Sequence, residues 1–438
     1  MTNLKHIWNF FTSVKLAIFT LCSLAITSII GTIIPQGESA GFYAKQYGIK
    51  AAHFMQILDI PDMYYSWWFL LLLFILSINL LVCSIERFPR VWAIIHTDNL
   101  KVTTERIAKM ANSREWQVSV ADMEAFNPVA FFKTAGMTSS SKAIDNGTLY
   151  FGQKGKYSRT GVYLVHLSIL VIFAGATIGS QLGLKGSVMI PEMQGTSKFF
   201  SSSQPETIDL GFEVRCDKFI IEFYDNGMPK EYQSTLTIID NGIEVLTEDI
   251  QVNSPLTYKG FTFYQSSYQG YKDFIVSITN QDTKQTKQTI LPFQKQQNWE
   301  ENDVRFGIVN AEALGQRFTR TKFWLKNGDT PAVLTWLDDN ESRIVTTANN
   351  SYNVHVKQMY ATGLQIAKDP GVWIVYIGCG LMLLGLYMAF FLSHRRIWLC
   401  QDTSAAGPRL ILGGSTNKNQ LAFKQLFTKL ENVIDKLN

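Results

Sequence analysis

The sequence predicts an integral membrane protein, with four transmembrane α-helices and a large extracytoplasmic β-rich domain, sandwich-like in build. Three observations predict it. Four apolar runs are each long enough to span a bilayer, basic residues gather on alternate flanks of those runs, and the stretch between the third and fourth has the composition of β-strands. Composition agrees, with 46% hydrophobic and only 17% charged residues, where soluble proteins carry about a quarter. The formal net charge of +4 is too small to argue for a nucleic-acid partner.

A spanning helix needs roughly 20 apolar residues at about 1.5 Å rise each. Residues 1–13 form an N-terminal segment before the first run, "VKLAIFTLCSLAITSIIGTII", residues 14–34, stopped by Pro35. Its core is too long for a cleavable signal peptide and shows no clear small-x-small cleavage site, so it reads as a retained helix. A short loop, 35–65, carries Glu38, Asp59 and Asp62 against Lys45 and Lys50. The second run, "SWWFLLLLFILSINLLVCSI", residues 66–85, opens on an interfacial Trp67-Trp68 pair and ends at Glu86 and Arg87. Residues 86–160 hold Arg87, Arg90, Lys101, Arg106, Lys109 and Arg114 near one end and Lys154, Lys156 and Arg159 near the other. The third run covers 161–183, and the fourth, 370–393, is closed by His394-Arg395-Arg396. Basic flanks face the cytoplasm. That places both termini, the mixed segment 86–160 and a tail, 394–438, inside, and leaves 35–65 and 184–369 outside.

Region 184–369 is rich in Ile, Val, Thr, Phe and Tyr, as in "FEVRCDKFIIEFYDNG" and "EYQSTLTIIDNGIEVLTEDIQV". Asn241-Gly242 between two such runs is a strong short-range hairpin signal. About 185 residues suffice for one sandwich-like domain with its own core. The polar stretch 280–302 reads as an exposed loop, and "TLYFGQKGKYSRTG" as a short strand and turn entering the third span. The tyrosines of "FTFYQSSYQG", residues 261–270, suit either an exposed contact surface or an ordinary strand and turn.

The chain has no G-x-S-x-G, Walker loop, H-E-x-x-H or dinucleotide fingerprint. Four spans without an inverted repeat leave little room for a transport pathway. Cys22, Cys83, Cys216, Cys379 and Cys400 include no C-x-x-C pair, so neither a disulfide framework nor a thiolate metal cluster is read here. Six histidines remain, and five of them, His6, His53, His96, His355 and His394, fall in loops or at interfaces, where a solvated side chain is the default.

His166 differs. It lies in "TGVYLVHLSILVIFAG", residues 160–175, about 8 Å into the third span from its cytoplasmic end. An ionisable side chain inside a span is rare and marks a functional site by default. Two readings stand: a packing hydrogen bond to a neighbouring helix, or axial ligation of haem iron by neutral imidazole. Tyr163, Ile169, Leu170 and Phe173 share its face. Gly175 and Gly179 lie on another, so the glycine face is expected to meet this chain's own helices while the histidine face looks elsewhere. A six-coordinate iron would need a second ligand, from His394 or from another protein.

Several blocks, "SVKLAIFTLCSLAITSIIGTIIPQG", "SWWFLLLLFILSINLLVCSIERFPR", "GQKGKYSRTGVYLVHLSILVIFAG", "YKGFTFYQSSYQG" and "GVWIVYIGCGLMLLGLYMAFFLSHRRIW", resemble the ResB family, also called CcsB, across most of residues 13–397. Family members are membrane subunits of System II cytochrome c biogenesis. The resemblance implies a subunit of a cytochrome c synthase, not catalytic alone, that binds and exports haem b with a multi-span, tryptophan-rich ResC or CcsA partner. Further implied partners are apocytochrome c, whose C-x-x-C-H cysteines receive the haem, and a thiol-reducing thioredoxin-like protein. The implied location is a bacterial cell (inner) membrane. The family's span-three histidine falls on His166 as haem ligand. The tryptophan-rich motif of the partner does not occur here, so a separate polypeptide is expected to supply it. The competing reading is a membrane-anchored scaffold or sensor with no haem role.

Overall fold

The computed structural model describes residues 2–97, 99–202, 206–224, 228–315, 317–404 and 407–436. The chain divides into two compact units, Met1–Thr177 with Val372–Asn438, and Ile178–Gly371. Among the described residues, four helices are long and apolar enough to cross a membrane.

In the first long helix, Val14–Ile33, the threonine hydroxyls bond within the helix: Thr20 and Thr27 donate to the carbonyls of Leu16 and Ser23, four residues back. Such back-bonding is how a polar side chain survives where no water is available. The second long helix, Trp67–His96, starts at Ser66, whose Oγ accepts from the Phe69 amide. It does not stop where its apolar run ends near residue 85 but continues, with Pro89 inside, to His96. Asn79, 2% exposed in the middle of this helix, donates from Nδ2 to the carbonyls of Phe11 (2.7 Å) and Ser13 (3.1 Å). These acceptors lie where the chain breaks between the helices Thr2–Phe11 and Val14–Ile33. Asn79→Leu is expected to cost about 1–3 kcal/mol by stranding both carbonyls, seen as a lower melting temperature of the detergent-solubilised protein.

The loop 35–65 is itself helical, with Ala40–Tyr47, Ile49–Ile57 and the 3-10 segment Ile60–Tyr65, and Tyr43 is buried among them.

The expected tail is a folded element. Strands Arg395–Asp402 and Arg409–Thr416 are two of the three inner strands of an antiparallel sheet whose order is Asn112–Gln117, Arg409–Thr416, Arg395–Asp402, Gly147–Lys154, Ser139–Ile144. Successive residues of "RRIWLCQD" alternate between two buried faces. Ile397 and Leu399 join Phe131, Phe132, Phe423 and Phe427, while Trp398 and Cys400 join Ile107, Leu149 and Ile411. A strand buried on both sides is a short unbroken apolar run, with no alternation to mark it. The helix Gln420–Ile434 seals one face with Phe423, Phe427, Leu430 and Ile434. Segments 86–160 and 394–438 are therefore one folding unit. Truncation after Ser393 removes two of the three inner strands and should leave residues 100–154 cleaved rapidly in limited proteolysis, where the full chain resists.

In the second unit the described residues form a ten-stranded sheet and a four-stranded sheet. Two long strands, Phe261–Asn280 and Ser351–Lys368, pair antiparallel, with register shifts between Gln265 and Ser267 and between Gly270 and Phe274. On one side of these bends, Phe263, Leu364 and Ile366 share a core with Val214, Phe219, Leu236 and Ile238. On the other, Phe274, Val276, Val354 and Val356 share a second core with Phe306, Phe323 and Leu325 of the four-stranded sheet. The region is thus β-rich as expected, with two cores rather than one. Asn241 (φ 52°) and Gly242 (φ 78°) make the expected two-residue turn between Pro229–Asp240 and Ile243–Gln251.

The stretch 280–302 is not a loop: it holds strands Thr286–Pro292 and Gln296–Trp299, with Leu291 and Trp299 buried in the second core. Its glutamines, lysines and threonines face outward, which hid the strands. In 261–270, Tyr264 is exposed but Tyr268 packs on the first core, and Gln265 is buried against Ser234 and Thr362, as in an ordinary strand.

Candidate functional site

The third long helix, Gly161–Leu182, carries His166 on its second turn, half-buried. Its Nδ1 lies 2.9 Å from Oγ of Ser84 on the second long helix. One turn beyond Ser84, Phe88 meets the Tyr163 ring edge-on at 5.3 Å, and Tyr163 stands 6.2 Å from the imidazole. Further along, Ile169, Leu170 and Phe173 pack on Leu24, Phe69, Leu76 and Leu80.

The histidine face therefore does not look away from the chain, as the glycine pattern suggested; it lies against the chain's own first two long helices. The reason is chemical fit, since Ser84 supplies a hydrogen bond and the leucines and phenylalanines fill the helix groove. Gly175 and Gly179 are buried, but the close approach to the fourth long helix, Val372–Phe390, uses other glycines. A Cβ on Gly378 would stand 2.6 Å from Cγ1 of Ile172, and one on Gly385 would stand 2.9 Å from the Val165 amide nitrogen. The helix thus makes contacts within the chain on two faces, while His166 itself stays half-buried.

When Nδ1–H donates to Ser84, the imidazole lone pair sits on Nε2, which makes no hydrogen bond among the described residues. That is the tautomer a metal takes up, with its ring orientation fixed from behind. A half-buried imidazole flanked by Tyr163 and Phe88 fits one axial position of a haem. A second position is not available from His394, which is fully buried with both ring nitrogens engaged. Arg159 Nε donates to its Nδ1 (3.0 Å), and its Nε2 donates to Oε1 of Gln153 (2.9 Å). Burial pushes its pKa down to about 4, helped by the positive charges of Arg159, Arg396 and Lys156. The solvated reading fails for His394. It holds for His6, His53 and His96, which are exposed, while His355 is half-buried and bonded to Asn340. Among the described residues no three His, Cys, Asp or Glu side chains gather as a metal site. Sequence reasoning missed Ser84, Asn79 and the partners of His394, because a lone serine or asparagine in an apolar run gives no sign of which helix it faces.

Fold and site define a class: a four-span membrane protein with a β-rich domain between its third and fourth spans and one half-buried histidine within a span. Within that class the chain belongs to the ResB-like family, whose pattern matches residues 14–357 and 307–428. It is 27% identical to the cytochrome c biogenesis protein Ccs1 of Porphyra purpurea, over 99% of this chain and 97% of that protein. It is 29% identical to the cytochrome c biogenesis protein CcsB of Microcystis aeruginosa, over 94% of this chain and 91% of that one. The corresponding values for CcsB of a Nostoc species are 27%, 98% and 91%.

Proposed function

We propose that this chain serves cytochrome c maturation, the process for which its relatives are named, as the haem-holding subunit of a System II synthase in a bacterial cell membrane. In this reading both termini are cytoplasmic and His166 Nε2 is one axial ligand of haem b in transit. The observation that carries it is the pairing of His166 Nδ1 with Ser84 at 2.9 Å, which leaves Nε2 free of hydrogen bonds among the described residues. The haem iron, once bound, is the electrophile that an imidazole lone pair satisfies. The chain's own part is to hold that lone pair in fixed orientation, keep the ring neutral inside an apolar groove, and limit water beside it through Tyr163 and Phe88.

A second ligand for the iron, and the attachment of haem to apocytochrome c, would come from a ResC- or CcsA-type partner, with a thioredoxin-like protein keeping the acceptor cysteines reduced. The test is the absorption spectrum of the complex co-purified with that partner. A Soret band is expected, lost or strongly weakened in His166→Ala. Full haem content and normal cytochrome c assembly in that variant would return the chain to the scaffold or sensor reading.

A further inference from the structure

At the foot of the third and fourth long helices, positive charge accumulates with no carboxylate paired to it among the described residues. Gly155, at φ 73°, lets the backbone of the turn Lys156–Thr160 approach Ser393 so closely that a Cβ there would stand 2.4 Å from the Ser393 carbonyl oxygen. That approach sets Arg159 against His394, to which it donates at 3.0 Å. This bond spends the Arg159 Nε on a neutral acceptor and leaves the guanidinium charge uncompensated. Arg396 lies beside it, opposite Gln153 on one side and Ser415 on the other in the strand register. Its guanidinium sits 5.3 Å over the Trp398 ring, and its Nε is buried with no hydrogen bond among the described residues.

Burial lowers the Arg396 pKa, and the nearby Arg159 charge lowers it further, as expected for two cations sharing a site. Ser158, 1% exposed, and Ser415 each hold a buried hydroxyl without a partner among the described residues. Among the described residues, neither Arg159 nor Arg396 forms an ion pair. Both arginines are half-buried, and partly desolvated cations and orphaned buried donors are costly unless a counter-charge completes them. The surroundings name its source. Tyr157, in the same turn as Arg159, and Phe390 and Phe391, at the end of the fourth apolar helix, are exposed, and tyrosine marks the depth of lipid headgroups.

We propose that Arg159, Arg396, Ser158 and Ser415, with Lys156 at the rim, form an oxyanion site that holds the phosphate of an anionic phospholipid headgroup. Arg supplies forked donors suited to phosphate oxygens, and the serine hydroxyls add single donors. The exposed rings lie where the acyl chains of such a lipid would run. The bound headgroup would tie the turn before the third span to the strand after the fourth. Free phosphate and the carboxylates of haem offer the same oxygen chemistry, so the test separates these sources.

The full chain, delipidated in detergent, is titrated with phosphatidylglycerol or phosphatidylcholine, and bound lipid is read by native mass spectrometry alongside the melting temperature. Phosphatidylglycerol should be retained and raise the melting temperature, and phosphatidylcholine should do neither. Arg159→Gln with Arg396→Gln should weaken phosphatidylglycerol retention by about tenfold or more. The charge-preserving Arg159→Lys with Arg396→Lys variant should retain most of it, which guards against a folding defect in the glutamine pair. An equal shift from millimolar inorganic phosphate would overturn the lipid assignment in favour of free anion. Loss of haem from the partner complex in the glutamine variant, with phosphatidylglycerol binding unchanged, would overturn it in favour of haem carboxylates. Equal retention of both lipids by every variant would remove the site altogether.

Discussion

His166→Gly is expected to empty the haem band of the partner complex, and millimolar imidazole to restore it. The rescue separates ligation from packing: a free imidazole entering the cavity can bind iron, but it cannot rebuild a helix–helix contact. Ser84→Ala leaves His166 in place and removes only the group that fixes its Nδ1. Loss of such an outer hydrogen bond typically costs about 10–100-fold in metal affinity. The variant should therefore show a Soret band that bleaches on dilution or on competition with a haem-binding apoprotein. Unchanged haem retention in Ser84→Ala, together with failure of imidazole to rescue His166→Gly, would assign the Ser84–His166 pair to packing.

Lowering the pH from 7 to 5 destabilises the unit that contains His394. Its folded pKa is about 4 against an ordinary 6.5. Between these values the unfolded chain binds a proton that the folded one excludes, so unfolding gains with each step down in pH. The stability that depends on a neutral His394 is complete above pH 6.5, falls as the pH drops from 6.5 to 4, and is constant below. The whole shift corresponds to roughly 3 kcal/mol, and about 2 kcal/mol is already lost at pH 5. The charged groups facing the ring are Arg159, Arg396 and Lys156, all cationic, so among the described residues no neighbouring carboxylate offsets the loss. In detergent the melting temperature should fall by roughly 4–8 °C more in the natural protein than in His394→Gln, which keeps a neutral polar side chain but cannot titrate. Parallel pH profiles for the two proteins would remove His394 from this role.

How much of this was legible in the sequence depended on the kind of signal each element carried. The long helices announced themselves because lipid demands about 20 apolar residues in a row, and the Asn241-Gly242 turn because few residues accept positive φ. The strand Arg395–Asp402 did not, since burial on both faces erases the polar-apolar alternation that would have exposed it. Strands Thr286–Pro292 and Gln296–Trp299 were hidden by the opposite cause, an outer face so polar that Leu291 and Trp299 did not stand out. His166 could be found because a titratable group in a span is rare. Ser84 could not, because its significance lies in which helix it faces, and that is set only when the helices pack. Nor could the burial of His394, which rests on Gln153 and Arg159, more than 230 residues earlier.

The sheet built from both ends of the chain also sets a clock on biosynthesis. Gln153 and its partner His394 are 241 positions apart. At roughly 5–20 residues per second, strands Ser139–Ile144 and Gly147–Lys154 leave the ribosome on the order of 10–50 s before the strand that pairs with them. Throughout that interval the inner edge of Gly147–Lys154 offers unpaired backbone groups and the aromatic side chain of Phe151, an aggregation hazard. A slowed or prematurely ended synthesis lengthens the exposure. Nonsense alleles late in the reading frame should therefore be cleared by quality-control proteolysis as fully as early ones.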